Sequence, residues 1–169
     1  MCYYTSCNNA NGGKTLMAEK KTVFLTGASG HMGWAGFKEL YKKKDKLNIV
    51  LLLRDSEKNR KKFANYLNDP SVKIVWGDLK KYDDVLKCVE GSDYVLHVGG
   101  MVSPSADYYP TKTIQTNTTA AKNIVDAVKA QPNKDDIKVV YIGTVAETGD
   151  RNAPIHWART GDPIKISIY

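Results

Sequence analysis

Thr26-Gly27-Ala28-Ser29-Gly30-His31-Met32-Gly33 follows the apolar run Thr22-Val23-Phe24-Leu25 and opens a stretch of helical character, Trp34 to Tyr41. A strand feeding a glycine-rich turn and then a helix leaves bare backbone N–H groups at a helix N-terminus, where a phosphate or pyrophosphate binds. Gly27 permits the tight turn, Gly30 a close approach of the pyrophosphate to the backbone, and Gly33 close packing of helix on strand. The spacing is Gly-x-x-Gly-x-x-Gly, one residue wider in its first step than the usual dinucleotide fingerprint.

Working outward, short β-branched runs alternate with helical segments. Strands are expected at Val23–Leu25, Asn48–Leu53, Val72–Trp76, Tyr94–Val98 and Ile137–Ile142. Between them lie a basic helix from Ser56 to Leu67, ended by Asp69-Pro70, a short helix from Asp83 to Val89 closed by Gly91, and a long helix from Thr111 to Ala130. Continuous apolar strands separated by helices imply a parallel sheet covered on both faces. Right-handed crossovers then give an α/β, doubly wound fold of strand order 3-2-1-4-5. Residues 1–17 read as a disordered leader without apolar periodicity, 18–150 as the nucleotide-binding domain, and 151–169 as the start of an active-site loop region. Gly12-Gly13-Lys14-Thr15 has the tail of a phosphate-binding P-loop but lacks its leading glycine and preceding strand, and is set aside.

Bulk properties narrow the class. The 169 residues, 42% apolar, suffice for one domain with a sizeable core. No run suits a membrane span or a signal peptide. Cys2, Cys7 and Cys88 are odd in number and lack zinc spacing, so no metal site is expected and a reducing, cytoplasmic setting is. The formal charge of +7 gathers in Lys42-Lys43-Lys44 and in Lys58 to Lys62. Without aromatic interleaving or a nucleic-acid motif this reads as a solvated face, partly serving the phosphates of an anionic cofactor, rather than as a nucleic-acid surface.

Five ordered motifs from Lys21 to Pro163 resemble the extended short-chain dehydrogenase/reductase family of epimerases, dehydratases and dihydroflavonol-type reductases. These are the glycine turn Thr26–Gly33, Gly77-Asp78-Leu79, Val95 to Gly100, Asn117 with Thr118, Ala120, Asn123 and Ile124, and Val139 to Thr144. The family more often has two alanines where Gly99 and Gly100 stand. The resemblance implies a Rossmann-type domain binding NAD or NADP through Gly27, Ser29, Gly30, His31, Met32, Gly33, Asp78, Leu79, Val98, Gly99, Gly100 and Asn117. Each position also has a plainer reading. Asp78 would accept the adenine amino group or cap the next helix. Gly99 and Gly100 would admit a cofactor ribose or serve tight packing. Asn117 would serve the cofactor site or be an ordinary helix amide, and His97 reads as a core histidine. At the end of the second strand, Arg54 would pair a 2′-phosphate bidentately while Asp55 caps the following helix, which favours NADP. In the alternative, Asp55 takes the ribose hydroxyls, Arg54 stacks on adenine, and NAD is favoured.

The chemistry implied by the family is hydride transfer at a hydroxyl-bearing carbon of a sugar nucleotide or another small alcohol or ketone. A Tyr–Lys couple acts as acid and base, and a Ser or Thr orients the substrate oxygen. Thr144 fits the last role and Tyr169 the tyrosine. No tyrosine after Thr144 has a lysine four residues on. The chain is therefore expected to be truncated before its substrate domain, inactive by itself, and to expose an apolar face at Ile124, Ala127 and Val128 that promotes homo-oligomers. Ser103, Tyr108 and Tyr109 would supply one wall for a small-molecule substrate. A non-catalytic dinucleotide-binding sensor or scaffold is the alternative. A basic interaction protein with a vestigial nucleotide fold is disfavoured, because no fingerprint glycine is lost.

Overall fold

A computed structural model describes residues 19–143 of the chain. Five strands, β1 (Lys21–Thr26), β2 (Leu47–Leu53), β3 (Val72–Trp76), β4 (Tyr94–His97) and β5 (Lys138–Tyr141), form one parallel sheet in the order β3-β2-β1-β4-β5. This is the expected doubly wound, Rossmann-type topology. Between the strands run α1 (His31–Tyr41), α2 (Glu57–Phe63), α3 (Tyr82–Val89), α4 (Ser105–Tyr108) and α5 (Pro110–Lys129).

The sheet is covered on both sides, as continuous apolar strands require. On one side Leu25, Ile49, Leu51 and Leu53 meet Phe37 of α1 and Phe63 of α2. On the other, Phe24, Val50, Leu52 and Val95 meet Val85 and Val89 of α3 and Ile124 and Ala127 of α5. Trp34, Phe37, Tyr41, Phe63 and Tyr66 form an aromatic cluster between α1 and the segment after it, with the Phe37 and Tyr66 rings 4.8 Å apart and edge-on. Such pairs add to area burial. The cluster fixes the direction of α1 and so aims its N-terminus at the strand ends.

Local chemistry sets the helix limits. Ser56 caps α2 by accepting the Asn59 backbone N–H, with Glu57 in the first turn and Arg60, Lys61 and Lys62 in the last. The capping role expected of Asp55 thus belongs to its neighbour. The basic helix stops at Phe63 and continues as a 3-10 turn, Ala64–Tyr66. Pro110 opens α5, where its missing N–H costs nothing. The stretch between β4 and α5, which holds Ser103, Tyr108 and Tyr109, contains the one-turn α4.

One expectation is corrected. Ile124 and Ala127 do not form an exposed face: they are 2% and 0% exposed and fill the core between α5, α3 and the sheet, with Val128 packed beside them. On α5 the exposed apolar residues are Ile114 and Val125, and a further group lies on β5, at Val139, Val140 and Tyr141, and just beyond it at Ile142. No described helix is long and apolar enough to cross a membrane.

Candidate functional site

The sheet order reverses between β1 and β4, and ligands of open α/β sheets bind in the crevice outside the strand ends at such a point. Here two turns meet there backbone to backbone. Gly27, at φ +72°, starts the turn after β1, and a Cβ on it would lie 2.7 Å from the Cα of Gly99 after β4. Both the left-handed backbone and this contact require glycine. The turn closes with the Gly30 N–H donating to the Gly27 carbonyl at 2.9 Å. A Cβ on Gly33 would stand 2.1 Å from that carbonyl, so α1 rests directly on the turn.

Gly30, extended, caps α1 without a side-chain hydrogen bond, and no acidic residue occupies the first turn. The first N–H groups of the helix, from His31, Met32 and Gly33, therefore lack intrahelical partners, and the positive end of the dipole is not neutralised. His31 and Met32 are exposed there, Ser29 is half-buried and Ala28 is buried. A second positive contribution comes from Lys62 of α2. Its ammonium donates to the Ser29 carbonyl at 3.0 Å and lies 4.3 Å from the centroid of the Trp34 ring. Burial, with Lys58 and Lys38 nearby, holds it below the ordinary lysine range. The basic run flagged in the sequence thus sends one particular lysine to the glycine turn.

The loops around the crevice are tied down by asparagines on the helices. Asn59 of α2 donates to the Arg54 carbonyl at 2.7 Å, and Asn123 of α5 to the Leu79 carbonyl at 2.8 Å. Asn117 accepts the Met101 N–H at 2.8 Å and donates to the Met101 carbonyl at 3.0 Å. Asn117 accordingly holds the loop after β4, and a Cβ on Gly100 would come within 3.4 Å of its Oδ1. Asn59 was not singled out by sequence reasoning. A buried amide on a helix otherwise rich in lysine is the signal that marks it.

At the end of β2 a pairing that neither reading included stands in place of the Asp55 cap. Asp55 is bound by Arg60 through two parallel hydrogen bonds, 2.6 Å from Nε and 2.8 Å from Nη2, and this pair holds its carboxyl below the ordinary carboxylate range. The Arg60 guanidinium also lies 4.9 Å from the Trp76 ring centroid, a cation–π contact at the end of β3. Arg54 is exposed beside this assembly. After β3, Asp78 accepts the Lys80 N–H at 2.9 Å and its own N–H donates to Asp84 at 3.1 Å. It does not cap α3, whose cap position is Lys81. Leu79 faces Gly99, where a Cβ would approach its Cδ1 to 3.1 Å. The crevice therefore brings together the glycine turn, Leu79, Val98, Gly99 and Gly100, with Arg54, Asp55 and Asp78 on the strand ends beyond β1.

Ser103 donates to Asp107, and Tyr108 and Tyr109 are 78% and 60% exposed in and beside α4. Tyr108 and Lys112 share the spacing of a catalytic Tyr–Lys couple, but the Lys112 ammonium lies over the Tyr109 ring. Thr144 and Tyr169 fall outside the described residues, as do the leader and the segment 151–169.

Comparison with known proteins agrees with this geometry. The family model "NAD dependent epimerase/dehydratase family" matches residues 23–167. UDP-glucose 4-epimerase of Rickettsia bellii (strain RML369-C) is 33% identical over 128 residues, covering 73% of this chain and 36% of that protein. The Rickettsia felis (strain ATCC VR-1525 / URRWXCal2) protein of the same name is 30% identical over the same length. The chain thus spans about a third of the length of the curated relatives it matches, 36% for each of these two. Among solved structures, the Bordetella bronchiseptica enzyme WbmH, in complex with NAD+, superposes with a TM-score of 0.59 at 23% identity over 78% of this chain and 41% of that one. A short-chain dehydrogenase/reductase of Saccharomyces cerevisiae, YIR035C, superposes at 0.61 with 16% identity over 75% of this chain and 54% of that one. Both show the shared fold.

Proposed function

The chain belongs to the NAD dependent epimerase/dehydratase family, and we propose that it forms the dinucleotide-binding part of an epimerase, dehydratase or reductase of the extended short-chain dehydrogenase type. The observation that carries this is the Gly27–Gly33 turn, pressed against Gly99 and opening onto an uncapped, uncompensated helix N-terminus. A pyrophosphate needs bare N–H groups, which His31, Met32 and Gly33 offer, and close approach to a backbone without Cβ atoms, which Gly30 allows. The Leu79, Val98, Gly99 and Gly100 wall would flank the adenosine and ribose on the other side. When bound, the nicotinamide supplies reversible hydride transfer at a hydroxyl-bearing carbon of a sugar nucleotide or another small alcohol or ketone. Thr144 is assigned the positioning of the substrate oxygen and Tyr169 the exchange of its proton. These residues include no Tyr–Lys couple after Thr144, so the chain taken by itself is expected to bind dinucleotide without turning substrate over.

NADP is the preferred cofactor in this reading. Both carboxylate oxygens of Asp55 are engaged by Arg60, which leaves them poorly placed to read a ribose diol. Arg54, the preceding residue, is exposed, and its guanidinium would suit a 2′-phosphate. Titration of the chain with NADPH and NADH by nicotinamide fluorescence tests both claims. Saturable binding of either supports the cofactor site, and no binding of either refutes it. NADPH is expected to bind about tenfold tighter, the equivalent of about 1.4 kcal/mol, with Arg54→Ala removing most of the difference. A preference untouched by Arg54→Ala would reassign the 2′ reader.

A further inference from the structure

His97 lies at the crevice, 4% exposed, and has no task in the account above. Parallel pairing sets it beside Thr26, at the last paired position of β1 and β4. The Thr26 hydroxyl makes three contacts: the N–H groups of Val98 and Gly99 donate to it at 3.1 and 2.9 Å, and His97 Nδ1 lies 2.8 Å away. A hydroxyl has two lone pairs and one proton. Both lone pairs are taken by the backbone N–H groups, so the proton points at His97 Nδ1. That nitrogen must be bare, and the ring proton must sit on Nε2.

We propose that Thr26 and His97 form a clasp that sets the separation of the two turns gripping the dinucleotide, with His97 acting as a positioning residue through its neutral Nε2–H tautomer. The proposal rests on the cofactor reading above for its consequence, though not for its geometry. The separation has no slack. A Cβ on Gly99 would come within 3.1 Å of Thr26 Oγ1 and of the Gly27 nitrogen, so the clasp joins the turns where their backbones already touch. A shift of either turn moves the pyrophosphate wall relative to the ribose wall.

Protonation of His97 would undo the arrangement. With Nδ1 a donor, Thr26 Oγ1 would face three donors with two lone pairs, and its own proton would need a new acceptor. Among the described residues no charge favours that state. Thr26 of β1 is uncharged, and the Tyr141 ring of β5 stands 5.6 Å from the imidazole, centroid to centroid. The buried residues of α5, Thr113, Ala120, Asn123, Ile124 and Ala127, carry no charge. In α3, Val85 and Val89 are apolar, and the buried Cys88 thiol, pushed up to about 12 by desolvation, stays neutral. Burial alone holds His97 below the ordinary histidine range. The clasp is therefore closed at neutral pH and opens as pH falls beneath that range.

Long-range proton–nitrogen correlation NMR on the histidine-labelled chain at pH 7.5, without cofactor, reads the tautomer directly: an Nε2–H pattern for His97 is expected, and an Nδ1–H pattern overturns the clasp. Calorimetric titration with NADP+ from pH 8 to 5 then compares the wild type with His97→Asn and His97→Leu. Asn offers Oδ1 in place of Nδ1 and cannot titrate, so His97→Asn is expected to bind within about threefold of the wild type at pH 7.5 and to lack its acid-side weakening. The comparison between these two proteins removes any titration of the ligand itself. His97→Leu is expected to lose about tenfold at pH 7.5, the loss of one buried hydrogen bond. Wild-type affinity in His97→Leu, or the same pH slope in His97→Asn as in the wild type, refutes the positioning role. If His97→Leu fails to fold, the His97→Asn pH profile decides. A wild type that shows the Nε2–H tautomer yet binds no dinucleotide overturns the cofactor reading and leaves the clasp standing.

Discussion

Gly33 and Gly36 lie one turn apart in α1 and have opposite surroundings. A Cβ on Gly33 would collide with the Gly27 carbonyl, whereas one on Gly36 meets nothing within 4 Å. Gly33→Ala must push the helix off its turn and is expected to cost roughly 2 kcal/mol or more in denaturant unfolding. Gly36→Ala places a better helix former in open space and should gain about 0.5–1 kcal/mol. Equal effects from the two substitutions would contradict the packing described for the turn. At this scale the sequence was partly legible. The spacing of Gly27, Gly30 and Gly33 located the turn, because a strand-turn-helix pattern is local. The partners of Thr26 and His97, and of Asn59 with Arg54, were not legible in detail. The first pair lies 71 residues apart in the chain and meets only through strand pairing.

Elements were found almost as expected, with limits shifted by a residue or a few. Their chemistry was less so. Ser56 rather than Asp55 caps α2, since Asp55 is drawn forward to Arg60, a choice between neighbours that only side-chain geometry settles. The turn after α1 is tied to the α2–β3 connection by Lys44 and Tyr41, both donating to Asp69 at 2.8 and 2.7 Å. With the Ser71 N–H added, these bonds hold the Asp69 carboxyl at about 2, below its ordinary 3.8. A carboxyl depressed in the folded state contributes stability present above its unfolded value and lost as pH falls toward its folded one. His97, also depressed, contributes stability present above the ordinary histidine range, 6.5, and lost as pH falls below it. Urea unfolding is thus expected to weaken in two steps, below pH 6.5 and again between about 4 and 2, with Asp69→Asn reducing the second, to which Asp55 and Asp93, also depressed, contribute the rest. A second step unchanged in Asp69→Asn would assign it elsewhere.

For the molecule as a whole, the alternation of apolar runs and helices was enough to order the sheet, because right-handed crossovers leave few topologies. Ile124 and Ala127 were placed on the wrong side of α5, whose exposed apolar residues are Ile114 and Val125, since helix periodicity alone does not say which side meets α3. Among the described strands β5 is at the edge, with Val139 and Val140 46% and 47% exposed. Such an edge pairs with other chains unless something covers or charges it. The chain is expected to self-associate in light scattering, and Val140→Lys to reduce that association. A monomeric wild type at high concentration would show the edge to be protected. The central claim remains the dinucleotide crevice, and Gly30→Val tests it most directly. A Cβ there stands 3.2 Å from the Gly27 carbonyl, close enough to need only a slight adjustment of the fold, while the valine branches would fill the space a pyrophosphate needs. Calorimetric titration with NADP+ should show saturable binding by the wild type and at least about a tenfold loss in Gly30→Val with unchanged circular dichroism. Equal affinity in the two proteins would contradict the account.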